Sequence, residues 1–138
     1  MPVDLSRSAE FAAAILDWVR GKGRVLIVAH DNPDPDSLAA AFALKHLFLV
    51  KTNLEATITF GGIIGRGENR AMVRELEIGA VPIEKLKLEE FNVVCMVDTQ
   101  PGTGNNSFPP DRDVHLVIDH HPPRDATRSC RWWDVRED

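Results

Sequence analysis

Three stretches of this sequence gather side chains able to hold a divalent cation and move a proton. They are His30, Asp34 and Asp36 in HDNPDPDS, Asp98 in VVCMVDTQ, and Asp119, His120 and His121 in VIDHHP. Imidazole and carboxylate together suit Mn²⁺, Co²⁺ or Mg²⁺ better than a thiolate-loving metal. In the first stretch Pro33 and Pro35 stiffen a loop that would aim its three ligands. Asn, Asp, Pro and Ser are also what turns and helix caps demand, so the ligand reading and the cap reading stand level. An EF-hand is ruled out, because counting from Asp34 puts Leu38 at a ligand position and no glycine follows where the loop must bend. Asp98 alone is a weak sign, since a strand-end aspartate can simply accept from backbone donors. The triplet Asp119-His120-His121 is sharper: adjacent metal-competent residues straight after VHLVI would be costly to bury without partners. His46 and His115, mid-helix and at the opening of a strand, carry no assigned role.

Short apolar, β-branched runs must position these residues. Residues 24–29 (RVLIVA), 56–60, 93–97 (VVCMV) and 114–118 read as buried parallel strands. A helix is expected over residues 6–20, with Phe11, Ile15, Trp18 and Val19 on one face and Gly21 and Gly23 stopping it. Ser37 opens a second helix, LAAAFALKHLFLV, which is apolar almost all round and is expected to be buried on most sides. A third helix near residues 68–77 carries Met72, Val73 and Leu76, and a weaker one lies near residues 85–91. The alternation implies an α/β fold: a Rossmann-like parallel sheet with right-handed crossovers and helices on both faces. Ligands of such sheets sit at the carboxyl ends of the strands, and three of the predicted strands run straight into the acid and histidine residues. The tail RSCRWWDVRED reads as a last, edge strand. Trp132 and Trp133 could stack on a base, but neighbours on a strand point to opposite faces, so one of them belongs to the core.

A chain of 138 residues with 43% apolar and 27% charged residues makes one globular domain. Its formal charge of −5 speaks against gripping long duplex nucleic acid. Carboxylates neutralised by divalent metal would still fit a phosphate-processing site. No run approaches the ~18 apolar residues of a membrane span and no basic-then-apolar leader opens the chain, so a cytoplasmic location without a membrane partner is expected. Cys95 and Cys130 stand far apart without a CxxC pattern and support neither a disulfide framework nor a zinc knuckle. Gly65, Arg66 and Gly67 follow a strand and open a helix, with Arg70 where a dinucleotide fingerprint needs its third glycine. A plain turn weighs most here, contacts of Arg66 and Arg70 to substrate phosphate next, and the fingerprint least.

Together and in this order, HDNPDPDSLAAA, VVCMVDTQ and VIDHHP resemble the first three motifs of the DHH phosphoesterase superfamily, over residues 24–122. The stretches GGIIGRGENRAM and QPGTGNN are most similar to members that cleave very short oligonucleotides and dephosphorylate 3′-phosphoadenosine 5′-phosphate. The resemblance implies a manganese-dependent phosphoesterase with two ions per site, Mg²⁺ or Co²⁺ being alternatives. It makes His30 and Asp34 ligands of one ion, Asp36 and His120 ligands of the other, and Asp98 the bridge. Asp119 would then orient a histidine, and His121 would face the scissile phosphate. Asp119 and His121 are thus the expected catalytic pair, with Arg66, Arg70 and His121 on the substrate.

The implied partner is a short oligonucleotide or a nucleotide, and a homodimer is among the assemblies open to the chain. The same motifs serve phosphodiesterases of cyclic or linear dinucleotides and pyrophosphatases or polyphosphatases. A metal- or nucleotide-binding module without turnover is the non-enzyme reading. Residues 1–138 are expected to form the N-terminal catalytic domain, stopping before the fourth-motif aspartate and the glycine-rich C-terminal substrate domain of the superfamily. Asp134 and Asp138 stand too near the triplet for that aspartate's role. Alone, the chain is expected to be weakly active or inactive.

Overall fold

The computed structural model describes residues 5–64, 71, 74 and 79–136. Arg66, Arg70, Met72, Val73 and Leu76 lie outside the described residues; of the expected helix near 68–77 only Ala71 and Arg74 are described, both helical. The elements are α1 (Leu5–Val19), β1 (Val25–Val28), α2 (Pro35–Thr52), β2 (Ala56–Phe60), β3 (Val81–Pro82), 3₁₀ turns at Ile83–Lys85 and Leu88–Glu90, β4 (Val93–Val97), β5 (Leu116–Asp119), α3 (Asp125–Arg128) and β6 (Trp132–Val135). The six strands lie in the order β3-β2-β1-β4-β5-β6, and every neighbouring pair is parallel. This is the expected Rossmann-like α/β architecture. The order reverses between β1 and β4, which opens a crevice at their carboxyl ends.

Every residue of β1 and β4 is buried, which explains why both read as unbroken apolar runs. On one face of the sheet, Ile15 and Val19 of α1 and Leu38, Ala41, Leu44 and Phe48 of α2 pack over Val25, Ile27, Ile58, Cys95 and Val97. On the other, Leu26, Val28, Val94, Met96 and Val117 meet Phe108, with Ile83, Leu86, Leu88 and Phe91 packed against them. Odd and even positions of β1 thus serve opposite cores, as a period of two requires. At the β6 edge the indole of Trp132 meets Phe11 and Trp18 edge-on, each at a centroid distance of 6.4 Å, whereas Trp133 is exposed. Both cysteines are free, and burial pushes the thiol pKa of each upward, with Asp113 adding to the effect at Cys130.

Three local expectations need correction. The second helix is not buried on most sides: α2 buries Ser37, Leu38, Ala41, Leu44 and Phe48, while Leu49 and Val50 are 42% and 61% exposed. A sheet covers only one stripe of a helix, and Ala39, Ala40 and Ala43 keep the apolar area of the outer side small. The weak helix near 85–91 is instead the pair of 3₁₀ turns, split where Lys87 is extended at φ −96° and ψ 99°. So short a stretch cannot offset helix nucleation, and its apolar residues are held by packing on the sheet. The fourth predicted strand begins two residues later than expected, at Leu116, and takes Asp119 into its last position. No helix among the described residues is long and apolar enough to cross a membrane.

Candidate metal centre

The chain leaves β1 into a loop tied down by its own polar residues. Asn32 adopts a left-handed φ of 52°; its N–H donates to Gly61 O at 3.0 Å and its Oδ1 accepts from Ile63 N–H at 2.9 Å. Asp31 N–H donates to Asn105 O and the Ser107 hydroxyl donates to Asp31 Oδ1, both at 2.7 Å. The loop is thereby fastened both to the end of β2 and to the β4–β5 connection. His30 Nδ1 lies 2.9 Å from Asp31 O, a pure acceptor, so this nitrogen carries the hydrogen and Nε2 is left as the free donor of an electron pair. That Nε2 faces two carboxylates, 3.7 Å from Asp34 Oδ2 and 3.6 Å from Asp98 Oδ2. Asp34 is also the N-cap of α2, its Oδ1 accepting from Ser37 N–H at 2.8 Å. The two level readings of this aspartate therefore hold at once, one on each oxygen.

The other half of the centre comes from β4 and β5. Asp98 takes a left-handed φ of 59°, and its N–H donates to Ile118 O at 3.0 Å. Aspartate tolerates this conformation better than most residues, and it turns the chain sharply where the strand ends. Its Oδ1 is 2.7 Å from His120 Nε2, so the carboxylate stands between two imidazoles, one on each oxygen. Asp36, Asp98, Ile118, Asp119 and His120 line a cavity of about 400 Å³. The Asp119 side chain is 1% exposed; it accepts from Gln100 Nε2 at 2.8 Å and lies 2.9 and 3.1 Å from His121 Nδ1 through its two oxygens. The rings of His120 and His121 lie side by side at 4.3 Å.

Of the residues expected at the site, His30, Asp34 and Asp98 form one group and Asp98, Asp119, His120 and His121 a second, the donor atoms of each within 4.8 Å of one another. Asp36 shares the cavity with Asp98 and His120 but belongs to neither group. Arg66 and Arg70 lie outside the described residues. Two ligands of one ion at ~2.1 Å are about 3.0–3.5 Å apart for octahedral to tetrahedral angles. The His30 separations of 3.6 and 3.7 Å are too long for good hydrogen bonds and close to that spacing. The donors thus fit a divalent ion. Asp119 fits a different task, since both its oxygens are committed to Gln100 and His121.

Sequence reasoning passed over the residues that hold the ligands. Asp31 and Asn32 lie inside HDNPDPDS and Gln100 closes VVCMVDTQ, yet these residues and Ser107 receive no role from the motifs. The β4–β5 connection is internally bonded: Thr99 Oγ1 donates to Asn105 Oδ1 at 2.6 Å, and Asn106 Nδ2 donates to Thr99 Oγ1 and to Gln100 O, each at 3.0 Å. Asp134 does other work, accepting from Arg7 and Arg136 and tying β6 to the start of α1.

A family model described as the DHH family, N-terminal domain, matches residues 24–137 and so takes in every ligand candidate. An uncharacterized protein of Methanocaldococcus jannaschii is 36% identical over 115 residues, 83% of this chain. The chain spans 23% of the length of that relative. The residues that converge at the carboxyl ends of β1, β4 and β5 all fall within the matched stretch, and the chain belongs to the DHH family.

Proposed function

We propose that this chain carries the hydrolytic site of a metal-dependent phosphoesterase acting on short oligonucleotides or small nucleotides by a two-metal mechanism. The observation that carries the reading is Asp98, whose two oxygens address His120 and His30 separately, at 2.7 and 3.6 Å. His30, Asp34 and Asp98 would hold one Mn²⁺ and His120, Asp36 and Asp98 a second, and Mg²⁺ or Co²⁺ would suit the same donors. Such ions would supply a water acidified to near neutrality and would take up charge on the phosphoryl oxygens. His121, with its Nδ1–H given to Asp119, presents Nε2 on a half-exposed ring. As an imidazolium it holds a phosphoryl oxygen there and returns a proton to the leaving oxygen, a form of help worth ~10²–10⁴-fold. Arg66 and Arg70 take the charge of the flanking phosphates by charge-assisted pairs. A cavity of about 400 Å³ suits a mononucleotide-sized group, and the net charge of −5 argues against long duplex.

Calorimetric titration with Mn²⁺ tests the centre: Asp98→Ala and His120→Ala should each lower affinity and stoichiometry, and unchanged binding in both variants would sink the two-metal assignment. Hydrolysis of a two-to-five nucleotide RNA and of 3′-phosphoadenosine 5′-phosphate, with Mn²⁺ and with chelator, tests the chemistry. Faster turnover of a cyclic dinucleotide or of pyrophosphate would move the substrate class. Mn²⁺ binding with no turnover of any of these would make the chain a binding module.

A further inference from the structure

We propose that Gln100 is a positioning residue of this site: its buried carboxamide, acting through Asp119, fixes His121 in the Nδ1–H form and holds the turn that follows the triplet. The inference rests on the hydrolytic reading only for its kinetic consequence. Its structural content stands on hydrogen bonds alone. Gln100 is 1% exposed, although it sits in a polar loop three residues past β4. Its Nε2 lies 2.8 Å from Asp119 Oδ2, 3.2 Å from Pro122 O and 3.3 Å from His121 O, all of them acceptors. Its Oε1 lies 2.9 Å from Arg124 N–H and 2.7 Å from Thr127 Oγ1, both donors. These partners settle which end of the amide is which, because the flipped amide would set an oxygen against three oxygens and an NH₂ against a backbone N–H. One hydrogen goes to the carboxylate, and the two longer carbonyl contacts share the other.

The consequence passes along the chain of bonds. Asp119 has a side chain only 1% exposed and therefore needs donors for its charge. Within the described residues those donors are the Gln100 amide and His121 Nδ1, which fixes the hydrogen of His121 on Nδ1 and leaves Nε2 for the substrate side. A free imidazole in water has no such constraint. Gln100 meanwhile grips the carbonyls of His121 and Pro122 and the N–H of Arg124, so the backbone that carries the histidine cannot pivot away from Asp119. A carboxamide is the one common side chain that can serve acceptors at one end and donors at the other. Glutamate is isosteric but would face Asp119 with a second negative charge, and methionine would fill the space and bond to nothing.

Nitrogen NMR of the ¹⁵N-histidine-labelled chain, without metal and at one neutral pH, reads the His121 tautomer directly. Wild type should be Nδ1–H, and a wild-type Nε2–H signal would overturn the proposal without any variant. Gln100→Met should turn that signal into a tautomer mixture, and Gln100→Glu should broaden or shift it, with the fold retained by circular dichroism. In Mn²⁺-dependent cleavage of a dinucleotide, Gln100→Met should lower kcat by roughly 10–100-fold with KM little changed, the usual cost of losing a group that orients a functional histidine. In a His121→Ala background the same change should cost almost nothing more. Additive losses, or a Gln100→Met variant that keeps a pure Nδ1–H signal, would return Gln100 to a role in folding alone. The predicted tautomer with no hydrolysis by the intact protein would leave the positioning in place and defeat the hydrolytic reading instead.

Discussion

The two halves of the candidate centre are built by different means. On the β1 side, His30 and Asp34 are held by turn and cap chemistry: a left-handed Asn32, backbone bonds to Gly61 and Asn105, and a helix that uses Asp34 as its cap. On the β4–β5 side, Asp98 and the triplet are held by strand ends and by a buried amide bonded to Asp119, Arg124 and Thr127. Each half pairs a sheltered side chain with an open one: His30 is 17% and Asp34 54% accessible, Asp119 1% and His121 54%. Ligands on a cap can adjust to an ion as it arrives. The His121 ring, half-exposed, is set by the buried Asp119 before substrate comes, and such preorganisation is what proton transfer requires.

Asp98 joins the halves, so its loss should have the largest effect. Asp98→Asn keeps a side chain that tolerates the left-handed φ of 59° and removes the charge from between the imidazoles. Affinity for both Mn²⁺ ions should fall, and hydrolysis should drop by more than ~10²-fold. Retention of one tight ion would show that the halves bind independently. Asp98→Ala should add a stability loss of about 1 kcal/mol that the asparagine variant lacks, because alanine gains nothing from that backbone conformation.

Gly61→Ala should come next. A methyl group there would overlap Ser107 Oγ and Asp31 Oδ1, which belong to the clasp between the first loop and the β4–β5 connection. The rotation of Ser107 that relieves the overlap would break its bond to Asp31. A destabilisation of about 1–3 kcal/mol is expected. Mn²⁺ affinity should suffer more at the His30 and Asp34 position than at the His120 position. Equal losses at both, read by titration alongside thermal melting, would mean that the loops move as one body.

Much of this was legible in the sequence, for identifiable reasons. The strands at 56–60 and 93–97 are read residue for residue because both faces are buried, so composition alone marks them. The convergence of three strand ends on one edge follows from parallel topology, which put His30, Asp98 and the triplet together before any coordinate did. The extent of α2 burial was misread because hydrophobicity reports what a residue can bury, not what lies opposite to cover it. Gln100 was invisible for a related reason. A carboxamide becomes a hub only through partners supplied 19 to 27 residues downstream, and no local pattern encodes them.

The smallest effect concerns Asp34, where the two level readings of the sequence meet on one side chain. Asparagine caps a helix as well as aspartate does, while its neutral amide is a far poorer ligand for a hard cation. In Asp34→Asn the bond from Ser37 N–H should survive, now accepted by the amide oxygen, so only the interaction of the charge with the α2 dipole is lost, roughly 0.3–1 kcal/mol. In Asp34→Ala the cap goes too, at about 1 kcal/mol or a few degrees in Tm. Both variants should lose the same Mn²⁺ affinity at the His30 position, because both lose the oxygen that faces Nε2 from 3.7 Å. The comparison therefore separates the tasks: thermal stability should rank wild type, then Asp34→Asn, then Asp34→Ala, whereas metal affinity should divide wild type from the other two together. If Asp34→Asn binds Mn²⁺ as wild type does, Asp34 is a cap and nothing more, and the β1 half of the centre reduces to His30 and its share of Asp98.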